Sequence, residues 1–125
     1  MLHLLKFAHT VVKTREDVYA EFRTLVNMSP LELEKWLETK TSKAPAEGTS
    51  DPDLVIDKKT SLKIIKVLSK RKVMLTKGEY ECMERVADHI NRLYKNKPME
   101  EDLLVSNWRY ALMNLGHDPV KVLEN

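Results

Sequence analysis

Residues 58–95 read KKTSLKIIKVLSKRKVMLTKGEYECMERVADHINRLYK. Two helical patterns lie on this stretch, with a helix-start signal between them. In the first, from about Lys58 to Lys72, Leu62, Ile65 and Leu68 recur every three residues, and Ile64 and Val67 widen the apolar arc. Thr76-Lys77-Gly78-Glu79 then forms a capping box. The threonine hydroxyl can accept the third amide of a new helix, and the glutamate can reach back to the cap amide. Behind it, Tyr80, Met83, Val86, Ala87, Ile90, Leu93 and Tyr94 fall at mixed spacings of three and four. The pattern ends before Pro98, because the residue preceding a proline avoids the helical region. A pair of helices joined by a short turn therefore anchors the reading.

The flanks continue it. Thr14 precedes Glu16 and Asp17, acids that complement the positive end of a helix dipole, and Val18, Phe22, Leu25 and Val26 form one stripe behind them. Ser29-Pro30-Leu31-Glu32 is a second capping box with proline at the first helical position, followed by Leu33, Trp36 and Leu37 and an expected end near Thr39. A last helix carries Leu104, Trp108, Ala111, Leu112 and Leu115; Gly116 stands where a left-handed residue closes a helix, and Pro119 blocks continuation. Residues 40–53, KTSKAPAEGTSDPD, change composition sharply, and the region 40–57 reads as one long, mobile loop. Residues 1–13 read as an N-terminal strap. No period-two strand of useful length and no internal repeat are present. The expectation is an all-α single domain over 14–125 with about five helices.

Composition excludes several classes. An apolar share of 42% is enough for a core, so disorder throughout is not expected. The single cysteine, Cys82, excludes an internal disulfide and a multi-cysteine zinc cluster, and it fits a reducing, intracellular compartment. No stretch approaches the roughly 18 uninterrupted apolar residues of a membrane span, so no membrane partner is expected. The first dozen residues lack the unbroken apolar run of a secretory signal.

Charge is distributed unevenly. Between Lys58 and Lys77 lie eight basic residues and no acid, although the whole chain carries a net charge of only +2. On a helix, Lys59, Lys63, Lys66 and Lys70, spaced 4, 3 and 4, line one face. Like charges at that spacing repel by a few tenths of a kcal/mol per pair, and a polyanion reverses the sign of that term. Arg71, Lys72 and Lys77 extend the basic set. Residues 16–38 hold Glu16, Asp17, Glu21, Glu32, Glu34 and Glu38 against Arg23 and Lys35. That acidic half is a possible internal or intermolecular partner for the lysines. A basic helix, a three-residue turn and a second helix resemble a helix-turn-helix in length. The fourth helix, however, alternates Glu81, Glu84, Arg85, Asp88 and Arg92, so base-specific readout is not supported.

Catalytic constellations are sparse. His117-Asp118 is the one adjacent histidine–acid pair, and its place after the last helix favours a capping role. Cys82 and His89 lie seven apart, on nearly the same side of one helix, with no third ligand. Trp36, Trp108, Tyr80 and Tyr94 fall on apolar faces and read as core rather than as stacking platforms. No phosphate-binding glycine loop or nucleophile elbow occurs. The chain reads as a non-enzyme with no cofactor or metal.

The stretch from Leu25 to Thr39, LVNMSPLELEKWLET, together with Trp108 to Pro119, WRYALMNLGHDP, resembles domain-of-unknown-function family 3140. The resemblance covers about residues 16–121. Members of that family are often described as DNA-binding proteins without a mechanism, so the resemblance implies DNA binding and no catalytic residue. It agrees with the lysine-rich helix. The expected function is weakly specific nucleic-acid binding through phosphate contacts from Lys59, Lys63, Lys66, Lys70, Arg71, Lys72 and Lys77. The competing expectation is a protein-interaction or regulatory module in which acidic and basic surfaces meet.

Overall fold

Side-chain caps set where the helices begin. Thr14, Ser29 and Thr76 each close a reciprocal capping box, with Asp17, Glu32 and Glu79 respectively. Asp57 and Ser106 cap two further helices through single side-chain bonds. The computed structural model describes residues 13–99 and 103–123. They form α1 (Arg15–Leu25), α2 (Pro30–Leu37), α3 (Lys58–Ser69), α4 (Lys77–Lys95), α5 (Asn107–Asn114) and a short α6 (Pro119–Leu123). There is no strand among the described residues. All but one residue of the expected N-terminal strap lie outside them.

α1 packs along α4, α2 along α3, and α5 against α2 and the segment that follows it. Their apolar faces meet in one cluster centred on Phe22, Leu33, Ile64, Met83, Ile90 and Leu112, all fully buried. The inward faces of α1 and α4 follow the sequence stripes. That of α3 does not: Leu62 is 50% exposed, Ile65 and Leu68 are half-buried, and Ser61, Ile64 and Val67 point inward. The buried arc is turned by about one residue, roughly 100°. A serine occupies it because its hydroxyl donates to the Asn114 carbonyl at 2.7 Å, which removes the cost of burial.

Two further differences concern the connections. Residues 40–57 are not a structureless loop: 3-10 turns occupy Thr41–Ala46 and Pro52–Leu54, and Ser42 and Pro45 are buried. The Asn114 amide donates to the Ser42 carbonyl at 2.8 Å while its oxygen accepts from the Trp36 indole at 2.7 Å. A partner 72 residues along the chain fixes this segment, and local composition carries no trace of it. The last long helix also starts later than expected. Leu104 lies in a 3-10 turn, half exposed, before the Ser106 cap, and Pro119, beyond the Gly116 closure, opens α6.

Candidate nucleic-acid interface

The α3 lysines stand on its solvent face. Lys59, Lys63 and Lys66 are exposed, and no carboxylate among the described residues lies within 4.0 Å of their ammonium groups. Lys58 and Lys59 occupy the first turn of α3, and Lys77 opens α4. Cations at the positive end of a helix dipole cost about 0.3–1 kcal/mol each at exposed sites, so folding alone favours acids at these positions. Arg71 and Lys77 are likewise exposed, with no carboxylate of the described residues in ion-pair reach.

Two of the seven expected contacts are already engaged. α3 ends at Ser69, so Lys70 leaves the helix in an extended conformation and does not continue the stripe. Its ammonium lies 2.8 Å from Glu79, the capping-box glutamate of α4. Lys72 pairs with Glu16 at 2.7 Å and covers the Tyr19 ring at 4.7 Å. The acidic first half of the chain thus reaches one of the seven cations, and α4 reaches another.

The Lys70 ammonium, helped by the Thr76 amide, holds the Glu79 carboxyl down at about 2. A carboxylate with a depressed folded value adds stability above its unfolded value of 4.5 and loses it as pH falls through 2. Glu79→Gln is therefore expected to flatten the fall of stability between pH 4.5 and 2, measured by urea unfolding across that range. A wild-type slope in the variant contradicts this assignment.

The Cys82–His89 side of α4 carries two arginines as well. Cys82, Arg85, His89 and Arg92 follow spacings of 3, 4 and 3, and this stripe borders α3, where Thr60 and Lys63 face it across a cleft of about 310 Å³. Asp53, in the second 3-10 turn, accepts the His89 Nε2–H on its backbone carbonyl at 2.8 Å. Its carboxylate lies 3.5 Å from Arg92 Nε. The spacing was visible in the sequence, but the interleaved Glu81, Glu84 and Asp88 masked it as an alternating surface. Cys82 is 6% exposed, and burial pushes its thiol up against the pull of Arg85 and Lys63. Among the described residues, no group of three or more His, Cys, Asp or Glu side chains is placed to hold a metal.

His117 does more than close a helix. Its backbone amide reaches Leu112. Its ring is 2% exposed, donates from Nδ1 to the Leu25 carbonyl and accepts the Tyr94 hydroxyl at Nε2, 2.6 Å away. Burial holds this imidazole below its ordinary value, which favours the neutral form. Trp108 donates to the Leu93 carbonyl at 2.6 Å, and Tyr94 packs edge-on against it. Tyr80 and Trp108 are buried, and Trp36 and Tyr94 are half-buried against the core.

No helix among the described residues is long and apolar enough to cross a membrane. The model of a family described as Protein of unknown function (DUF3140) matches residues 21–113 of the 125. No curated protein and no solved structure matches the chain.

Proposed function

We propose that this chain, which belongs to the DUF3140 family of proteins of unknown function, is a non-enzymatic nucleic-acid-binding protein that holds the phosphate backbone of DNA. Lys59, Lys63 and Lys66 make the central contacts, and Arg71 and Lys77 flank them. Lys70 and Lys72 stay with Glu79 and Glu16. One observation carries the reading: the exposed lysine stripe of α3 has no internal carboxylate in ion-pair reach among the described residues. Lysine presents a flexible point charge, which suits phosphate and reads base edges poorly, so sequence specificity is low.

Titration of a fluorescent duplex across salt concentration tests this. Each phosphate contact contributes about 0.9 to the slope of log affinity against log salt. Three lysines give a slope of about −2.7, and all five cations about −4.5. A slope near zero contradicts the proposal. A second reading, docking on an acidic protein surface, draws on Val73 and Met74, which are 78% and 60% exposed between the basic residues of the α3–α4 turn. Apolar contact there predicts binding to an acidic protein that weakens with salt less steeply than duplex binding does and drops in Val73→Ser/Met74→Ser.

A further inference from the structure

The cleft between α3 and α4 gathers two cations from outside the lysine stripe, Arg85 and Arg92, beside Lys63 of the stripe itself. Arg85 and Lys63 approach it from opposite helices, and neither has a carboxylate of the described residues within 4.0 Å. Arg92 also lines it, steadied by Asp53, as does the half-buried His89, held by the Asp53 carbonyl. The Thr60 hydroxyl adds a donor, and Cys82, Val86 and Leu115 supply buried, largely apolar lining. Asp88 is the one acid among the lining residues, against three permanent cations, of which Arg92 is already offset by the Asp53 carboxylate.

We propose that this cleft is a binding site for a phosphate monoester carried on a small organic body. A guanidinium fork matches the paired oxygens of a phosphoryl group, and an ammonium and a hydroxyl can take the remaining acceptors. The monoester also carries close to two negative charges at neutral pH, which offsets Lys63 and Arg85 together. At about 310 Å³ the cleft is at the small end of the roughly 300–1,000 Å³ of ligand cavities. That volume suits a nucleotide-sized molecule better than a polymer. The apolar lining gives its body somewhere to rest, and the Asp53 contacts fix Arg92 and His89 before the ligand arrives. Arg85 and Arg92 take no part in the backbone-binding proposal, so the two readings share only Lys63.

Calorimetric titration of the full chain with inorganic phosphate, adenosine 5′-monophosphate and adenosine, at constant ionic strength, tests the site. Saturable binding is expected for the first two and none for adenosine. Arg85→Gln should weaken both by about tenfold or more, as loss of a charge-assisted hydrogen bond does. Lys35→Gln, exposed on α2 and outside both sites, should change them by less than about twofold. Arg85 is exposed, and an unchanged melting curve for Arg85→Gln checks that the fold survives. Arg85→Gln should leave the salt slope for duplex DNA unaltered, so failure of one reading does not imply failure of the other. Competition by a 5′-phosphorylated oligonucleotide, but not by its 5′-hydroxyl counterpart, would place the monoester at a strand end. Competition by the mononucleotide alone would make it a free small molecule. The proposal is overturned if the wild type gives no saturable binding of phosphate or of the monophosphate, or if Arg85→Gln binds them as tightly as the wild type does.

Discussion

Gly116→Ala is expected to destabilise the protein by about 2–5 kcal/mol, seen as a shift of the guanidinium midpoint with an unchanged slope. Gly116 follows the end of α5 with φ 82°, a left-handed conformation. Its amide bonds to the Met113 carbonyl at 2.9 Å, and the next amide, of His117, bonds to Leu112 at 2.9 Å. This pair of bonds is the closing motif that needs a left-handed residue. Any residue with a Cβ pays about 1–2 kcal/mol for that backbone geometry.

At Gly116 space adds a second cost. A Cβ there would lie 2.8 Å from Val26 Cγ1, 3.4 Å from Ile64 Cγ2 and 3.6 Å from Leu33 Cδ2. The end of α1 and the helices α2 and α3 all meet this point. The Gly116 carbonyl also accepts from the Met28 amide at 3.1 Å, so the backbone has little freedom to retreat. Overpacking in such a place costs about 1–3 kcal/mol more. Gly48→Ala separates the two costs. Its φ is 69°, but nothing lies within 4 Å of where a Cβ would stand, so the backbone cost of about 1–2 kcal/mol stands alone. Equal losses at both glycines would contradict the packing account.

How much of this was legible in the sequence depended on whether the determining contact was local. The capping boxes at Ser29 and Thr76 involve residues three apart, and the structure starts α2 and α4 where those boxes put them. The left-handed role of Gly116 was readable for the same reason. The rotated face of α3 was not, because Ser61 is buried on account of Asn114, far along the chain. The order of residues 40–57 escaped for the same reason. At the candidate site, the exposed stripe of Lys59, Lys63 and Lys66 followed from helical spacing. The departure of Lys70 did not, since it turns on where α3 stops and on the reach of Glu79. Arg85 and Arg92 were hidden by the acids that alternate with them.

The second large effect falls on binding. In Lys59→Glu/Lys66→Glu, two phosphate contacts become repulsions, and affinity for duplex DNA in about 0.1 M salt should drop by roughly one to two orders of magnitude. Fold stability should move the other way. Reversal removes like-charge repulsion along α3, worth a few tenths of a kcal/mol per pair. At position 59 it also places an anion in the first turn, where the helix dipole favours one, while at position 66 it removes a cation that the dipole favours in the last turn, so these two terms roughly cancel. A variant that is at least as stable yet binds poorly isolates the purpose of the lysines from the needs of the fold.

The most direct test of the account is the salt slope of duplex binding for the wild type and for Lys59→Glu/Lys66→Glu, measured side by side by fluorescence anisotropy. The slope should become shallower by about 1.8, two contacts at about 0.9 each, with weaker binding at every salt concentration. Identical slopes and affinities for the two proteins would contradict the claim that the exposed lysines of α3 are there for phosphates.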